Sequence, residues 1–95
     1  MIFRYKKDFL KAFDLLKIDD AKLVIEAEKQ IRLYYIKNIA PFGLRIKKLY
    51  SKNNIKVYEG RISIKLRIIW IKTENIVSFA ILGNHENIKN YLKKL

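Results

Sequence analysis

The spacing of apolar residues changes once along this chain, and that change limits the possible folds more than any other feature. In the first half, apolar residues recur at helical spacing, as in the stripe of Leu23, Val24, Ala27, Ile31, Tyr34 and Tyr35. Pro41 and Gly43 end this pattern, because proline disfavours helix in the residue before it and glycine allows turns. Beyond them, short segments are rich in β-branched and aromatic residues. The sequence therefore predicts an α+β fold with helices and strands in separate halves.

The expected elements follow the order β-α-α-β-β-β-β-α. The first three are a strand at Ile2–Tyr5 and helices at Asp8–Leu16 and Asp20–Lys37, with Ile18-Asp19-Asp20 as the break and helix cap between them. Four strands are expected at Leu44–Tyr50, Lys56–Ile64, Leu66–Ile71 and Ile76–Leu82, followed by a short C-terminal helix marked by Ile88, Tyr91, Leu92 and Leu95.

These elements predict an N-terminal strand and a two-helix hairpin packed on a twisted antiparallel sheet of four to five strands. The strand Leu66–Ile71 is apolar on both faces apart from Arg67, which predicts a central strand covered on both sides. The core is expected to contain Phe9, Phe13, Leu23, Ile31, Ile69, Phe79 and Leu92.

Length and composition exclude several classes of protein. A chain of 95 residues has room for one core, so we expect a single domain over residues 1–95. Because there is no cysteine and only one histidine, disulfides, thiolate sites, cysteine nucleophiles and multi-histidine metal sites are excluded, and we expect no metal and no cofactor. No signal peptide and no bilayer-spanning stretch is visible, so we expect a cytoplasmic protein without a membrane partner.

Positive charge is concentrated in one part of the sequence. The formal net charge is +12, and the segment Leu44–Lys72 carries nine basic residues and one acid, which is +8 of that total. Solvated surface lysines are the simpler interpretation of any one residue. The cluster favours a nucleic-acid partner, because releasing phosphate counterions rewards concentrated positive charge.

Few residues in this chain could carry chemistry. Arg67 would be unfavourable in an apolar strand unless it faces an open cleft or pairs with an acid such as Glu59. His85 lies between the last strand and the last helix, and its imidazole is the natural proton donor or acceptor in this inventory, although a lone histidine is often only a surface or capping residue. Tyr91 follows on that helix but also falls on its apolar stripe. Residues that could hold phosphates, or simply be solvated, are Arg61, Lys65, Lys47 and Lys48.

Three motifs stand out along the chain: Gly43-Leu44-Arg45-Ile46-Lys47-Lys48-Leu49, then Tyr58-Glu59-Gly60-Arg61-Ile62-Ser63-Ile64-Lys65-Leu66-Arg67-Ile68-Ile69-Trp70, then Leu82-Gly83-Asn84-His85-Glu86. Together they resemble the RelE/ParE toxin superfamily. In this superfamily an arginine-bearing strand precedes a second strand of the form arginine, two hydrophobic residues and an aromatic one. A glycine and a basic or histidine corner then come before a final tyrosine.

The resemblance implies a RelE-like fold, an acidic antitoxin partner and, in many members, cleavage of mRNA in the ribosome. It implies that Arg67 stabilises the scissile phosphate, that His85 protonates the leaving group or contacts phosphate, and that Tyr91 orients the substrate. Lys47 and Lys48 match loosely as RNA-binding residues. Gly60 stands where a lysine often does, which leaves Glu59 as a substitute general base.

Three hypotheses about function follow. The leading one is a metal-independent endoribonuclease toxin of a type II toxin–antitoxin system, an mRNA interferase in which the 2′-hydroxyl attacks the neighbouring phosphate. The second keeps the fold but replaces cleavage with ParE-like inhibition of DNA gyrase. The third is a non-catalytic nucleic-acid-binding module, for which positive charge alone suffices.

Overall fold

Eight elements make up the chain in the computed structural model, which describes residues 1–41 and 43–95. They are β1 (Ile2–Tyr5), α1 (Lys7–Asp14), α2 (Ile18–Lys37), β2 (Lys47–Lys52), β3 (Ile55–Arg61), β4 (Arg67–Thr73), β5 (Ile76–Gly83) and α3 (His85–Leu92). The order matches the expected β-α-α-β-β-β-β-α, so the α+β fold class is confirmed. Boundaries differ by a few residues, most of all at β2, which begins three residues later than the motif predicted.

The strands form one sheet in the order β1-β5-β4-β3-β2. Strands β2 to β5 pair antiparallel as an ordinary meander, with β4 in the middle. β1 pairs with β5 in parallel, so the sheet is mixed and not wholly antiparallel. Apolar periodicity marks a segment as a strand but carries no information on its direction. That direction depends on how the intervening chain returns to the same edge.

The sheet is covered on both faces, which confirms the interpretation of the central strand. The helical hairpin α1–α2 covers one face, where β4 contributes Ile68 and Trp70, and we call this the hairpin face. Helix α3 covers the other, where β4 contributes Ile69, and we call this the α3 face. Adjacent residues of β4 therefore serve different apolar layers, as the alternation of side chains along a strand requires.

Most of the expected core residues are inside, but Leu23 is not. Of the seven, Phe9, Ile31, Ile69 and Phe79 are buried, and Phe13 and Leu92 are partly buried against the two layers. The expectation for Leu23 was wrong, since its side chain is 46% exposed. Helix α2 buries Val24, Ala27 and Ile31, and Leu23 lies about 100° around the helix from Val24.

The break between α1 and α2 lies two residues earlier than expected, because α1 ends at Asp14 and not at Leu16. Helix α2 begins at Ile18, so Asp19 and Asp20 lie in its first turn and do not cap it. In the first turn the two carboxylates lie near the positive end of the helix dipole, and this attraction stabilises the helix. At the far end, Asn38 adopts a left-handed conformation with φ 57° and donates its N–H to the carbonyl of Tyr34, which terminates the helix.

Side chains and turns fix the order of the strands. The Tyr5 hydroxyl of β1 donates to Glu28 of α2, and Arg32 Nε donates to the same carboxylate at 2.6 Å, so the edge strand is tied to the hairpin. The β2–β3 turn places Asn53 at φ 56°, a conformation that asparagine tolerates well. Between β3 and β4, residues 62–66 form a loop closed by a bond from Leu66 N to the Ser63 hydroxyl at 3.1 Å.

Candidate active site

Arg67 forms an ion pair with Glu59 on the α3 face. Arg67 is the first residue of β4, and its Nη1 donates to Glu59 Oε1 on β3 at 3.1 Å. The two side chains are 17% and 13% exposed, and Arg67 Nε is buried without a hydrogen-bond partner among the described residues. A guanidinium in an apolar strand is thus compensated by an acid, which was one of the two explanations that the sequence left open.

Two further cations lie beside this pair. Lys47 of β2 is directly opposite Glu59, and Arg61 of β3 is directly opposite Arg67. Directly opposed residues of neighbouring strands have Cβ atoms about 5 Å apart on one face. Lys47, Glu59, Arg61 and Arg67 therefore form one group, the Arg67 cluster, with three positive charges and one negative. Arg61 and Lys47 are exposed, so the cluster has an open, positively charged side.

His85 lies at the same end of the sheet. Arg67 is the direct partner of Gly83 at the end of β5, and His85 follows Gly83 by two residues as the first residue of α3. Asn84 caps the helix: its side chain accepts from Asn87 N at 2.9 Å, and the Asn87 side chain accepts from Asn84 N at 3.0 Å. This reciprocal cap fixes the start of α3, so the exposed imidazole of His85 is held close to the end of β5.

Tyr91 does not converge on the same point as His85. Six residues of helix separate them, which places the two side chains about 120° apart around the axis and about 9 Å apart along it. Tyr91 is partly buried against the apolar layer on the α3 face. Burial, and then the negative charge of Asp8 in α1, raise the pKa of its hydroxyl. The hydroxyl of Tyr91 therefore stays protonated.

Two of the proposed phosphate-binding residues lie outside the cluster. Lys48 pairs with Tyr58, whose ring lies on the hairpin face, so Lys48 points away from Lys47. Lys65 lies in the exposed loop between β3 and β4, near Asn84. The nine basic residues of the segment Leu44–Lys72 are clustered in sequence, but strand alternation divides those that lie on strands between the two faces of the sheet.

Gly60 faces the hairpin side and cannot host a catalytic lysine. A Cβ atom there would lie 3.2 Å from Ile68 Cγ2 and 3.2 Å from Trp70 Cζ3. The glycine is therefore needed for packing under the Trp70 ring. Glu59 remains as the nearest carboxylate to Arg67, but it already accepts the Arg67 hydrogen bond.

The cluster has the groups needed to bind and polarise a phosphodiester. Guanidinium and ammonium groups hold phosphate oxygens and stabilise charge that develops on them, and the nearby imidazole of His85 can donate or accept a proton. Among residues 1–41 and 43–95, no group of three or more histidine, cysteine or acidic side chains is arranged to hold a metal ion.

Comparison with known structures defines the fold. The archaeal RelE–RelB complex from Pyrococcus horikoshii superposes with a TM-score of 0.68 at 15% sequence identity, over 87% of this chain and 92% of that one. The RelB–RelE antitoxin–toxin complex from Methanococcus jannaschii gives 0.65 at 18% identity, over 93% and 96%. The YoeB dimer from Staphylococcus aureus gives 0.65 at 15% identity, over 90% and 97%. This chain has the RelE-like toxin fold.

The RelE-like fold is visible in the backbone far more than in the sequence. The sequence matches no protein-family model, and no match is found among curated proteins. The structural match covers most of both chains, so it includes the sheet, the hairpin and α3 together. No helix within the described ranges is both long enough and apolar enough to cross a bilayer.

Proposed function

We propose that this RelE-like chain is the toxin of a type II toxin–antitoxin system and acts as a metal-independent endoribonuclease on mRNA, with ribosome-bound message as its substrate. The observation that carries the proposal is the Arg67 cluster on the α3 face, at the same end of the sheet as His85. A rigid sheet end with three cations and an imidazole suits a reaction in which RNA supplies its own nucleophile.

In this mechanism the 2′-hydroxyl attacks the adjacent phosphorus in line with the departing 5′-oxygen. Arg67 stabilises the charge that builds up on the phosphate oxygens, and Arg61 and Lys47 hold the flanking phosphates. His85 donates a proton to the 5′-oxygen as the P–O bond breaks. The products are a 2′,3′-cyclic phosphate and a 5′-hydroxyl end. Glu59 orients Arg67 and is the candidate acceptor of the 2′-hydroxyl proton, while Tyr91 orients the substrate from the side of α3.

An acidic antitoxin is the proposed protein partner. Two of the structural neighbours are complexes of a RelE toxin with RelB. The formal charge of +12 supports an acidic segment that is disordered alone and folds on binding. Co-expression with an acidic antitoxin should give a stable complex whose association slows as salt rises, because electrostatic steering is screened. Association that does not respond to salt would contradict this part of the proposal.

A second candidate function keeps the fold without the cleavage. Gly60 faces the core, and Glu59 is engaged by Arg67, so neither offers a free general base. These two observations favour a non-cleaving protein, either a ParE-like inhibitor of DNA gyrase or a basic nucleic-acid-binding module. Such a protein would use the same cations only to bind.

The experiment that separates these functions measures RNA cleavage and supercoiling by gyrase with the same purified protein. Purified protein is added to translating ribosomes with and without a chelator, and RNA ends are mapped for 2′,3′-cyclic phosphate and 5′-hydroxyl groups. We expect cleavage in both conditions, and a loss of about a hundredfold or more for His85→Ala and for Arg67→Lys. Arg67→Lys keeps the charge opposite Glu59, so the ion pair is not simply removed.

The matched control is Lys29→Gln, which removes one exposed positive charge from α2 without touching the sheet. It should cleave as the parent does. Intact message together with inhibited supercoiling by gyrase would establish the ParE-like function instead. Cleavage by the His85 and Arg67 variants at the parental rate would show that the assigned residues are wrong.

A further inference from the structure

A second concave site lies on the hairpin face, on the opposite side of the sheet from the Arg67 cluster. It is a cavity of about 520 Å³ between the C-terminal end of α2 and strands β3 and β4. The described residues that line it are Tyr34, Tyr35, Pro41, Arg45, Ile46, Lys56, Tyr58, Trp70 and Lys72. Its volume lies within the usual range of small-ligand pockets, which is about 300–1,000 Å³.

The floor of the cavity is a fixed set of aromatic rings. The Tyr58 ring stacks on Trp70 with centroids 5.7 Å apart and an interplanar angle of 17°. Trp70 Nε1 donates to the Tyr35 hydroxyl at 2.9 Å, and Tyr34 packs edge-on against Tyr35 at 5.0 Å. Trp70 is 1% exposed and is part of the core, whereas Tyr34 is 39% exposed and presents its ring at the opening.

Three cations surround these rings. Lys56 precedes Tyr58 by two residues on β3, and Lys72 follows Trp70 by two on β4, so strand alternation places all four side chains on the hairpin face. Lys72 Nζ lies 5.9 Å from the Tyr35 ring centroid and donates to the Glu74 carbonyl at 2.6 Å. None of the described residues that line the cavity is acidic.

Arg45, the third cation, has an unusual backbone conformation. Its φ of 47° lies in the left-handed region, which residues other than glycine, asparagine and aspartate rarely adopt. The preceding residue holds it there, because Leu44 is buried and its carbonyl accepts the N–H of Arg61 at 2.6 Å. A strained residue that lines a cavity is a common feature of binding sites.

We propose that this cavity binds one nucleotide of single-stranded RNA, with the base against the tyrosine rings and the phosphate between Lys56, Lys72 and Arg45. Aromatic rings flanked by cations bind single-stranded nucleic acid, because every base has a stacking face and every linkage carries a negative charge. Core packing explains the buried Trp70, but it does not explain why three cations and no acid are found among the described residues that line the cavity beside an exposed ring. RNA as the ligand follows from the proposed function, and the site itself does not depend on cleavage.

Trp70 provides the measurement, since it is the only tryptophan of the chain and forms part of the cavity wall. The probe is a 2′-O-methyl RNA hexamer, which cannot be cleaved because its 2′-oxygen is blocked. We expect the hexamer to quench Trp70 fluorescence saturably, and AMP to do the same at higher concentration. The same hexamer in a duplex should quench poorly, because its bases are not free to stack.

Variants on the two faces separate this site from the proposed active site. Tyr34→Leu and the pair Lys56→Gln with Lys72→Gln should each weaken hexamer binding about tenfold. His85→Ala, on the α3 face, should leave the quenching constant unchanged even if it abolishes cleavage. Lys22→Gln with Lys29→Gln, which removes two exposed charges from α2, is the control for overall charge, and thermal unfolding confirms that each variant is folded.

Three results would overturn the proposal. They are an absence of quenching, equal binding of duplex and single strand, or equal losses for the α2 control pair and the pair Lys56→Gln with Lys72→Gln. An acidic peptide that competes with the hexamer while AMP does not would assign the cavity to a protein partner instead. If the His85 variant loses cleavage but keeps the parental quenching, RNA binding in this cavity is separate from cleavage on the α3 face.

Discussion

At the scale of single residues, the Arg67–Glu59 pair links stability to the candidate active site. Both side chains are largely buried, and Arg67 Nε already lacks a partner among the described residues. Removing either partner leaves the other charge in a poorly solvated place. The free energy of unfolding should therefore fall when either partner is removed. For the same reason, the activity of an Arg67 variant has to be compared at equal amounts of folded protein.

We expect Arg67→Ala and Glu59→Ala each to lower the free energy of unfolding by about 2–3 kcal/mol, measured by urea denaturation. The double variant should lose less than the sum, because each single variant strands a charge. Arg32→Ala is the comparison, since Arg32 is 40% exposed, and Glu28, although 13% exposed, keeps the Tyr5 hydroxyl as a hydrogen-bond donor. That change should cost about 0.5 kcal/mol or less. Additive effects at Arg67 and Glu59 would show that the pair is not coupled.

Gly60 gives a second prediction at this scale. A Cβ atom there would press on Ile68 and Trp70, so Gly60→Ala should destabilise the protein by about 1–3 kcal/mol in urea denaturation. Ser51→Ala, on the exposed edge strand β2, is the control and should be nearly neutral. Parental stability for Gly60→Ala would mean that the space under Trp70 is larger than the structure shows.

At the scale of elements, α3 is held to the sheet by the buried Ile88, by the partly buried Tyr91 and Leu92, and by its cap. Gly83 allows the close approach, because a Cβ atom there would lie 2.5 Å from Asn87 Cβ. The helix has only eight residues and would be marginal by itself. The position of His85 and Tyr91 therefore depends on the reciprocal cap between Asn84 and Asn87.

We expect Asn84→Ala to destabilise the protein by about 1 kcal/mol, because it leaves the Asn87 N–H without its side-chain acceptor. Amide hydrogen exchange in α3 should become faster than in the parent, while exchange in the central strand β4 stays unchanged. Asn90→Ala, which removes an exposed side chain from the same helix, is the matched control and should leave exchange in α3 unchanged. Equal exchange in the two variants would mean that the cap does not hold α3.

At the scale of the whole molecule, one sheet separates two differently built surfaces. The α3 face carries the Arg67 cluster, and the hairpin face carries the aromatic cavity of Tyr35 and Trp70. Burial raises the pKa of Tyr35 to about 12, against the ordinary value of 10.0. Since the neutral phenol is favoured in the folded protein, the stability of the fold depends on pH in the alkaline range.

The direction in which stability changes with pH depends on whether the folded or the unfolded state holds the Tyr35 proton more tightly. Below pH 10 both states keep the Tyr35 proton, and stability from this group is fully present. Between pH 10 and about 12 the unfolded chain loses the proton first, so the free energy of unfolding falls as pH rises. Urea midpoints measured from pH 9 to 12 should decline less steeply for Tyr35→Phe than for the parent. Tyr50→Phe, at an exposed position on β2, should keep the parental slope.

The sequence by itself determined the order of the elements, the double-sided central strand and the need of Arg67 for either a cleft or an acid. These conclusions depend on local properties: the period of apolar residues, the conformational limits of proline and glycine, and the unfavourable burial of a charge. A RelE-like fold could be predicted from them together with the short motifs around Arg67 and His85.

Only the tertiary structure decided which residues share a surface. Lys47 and Lys48 are adjacent in sequence yet face opposite sides, and Lys56 joins Lys72 in a cavity that no motif indicated. The parallel pairing of β1 and the exposure of Leu23 were decided in the same way. The physical reason is that strand register, strand direction and helix rotation depend on contacts between distant residues, and a shift of one position moves a side chain to the other face.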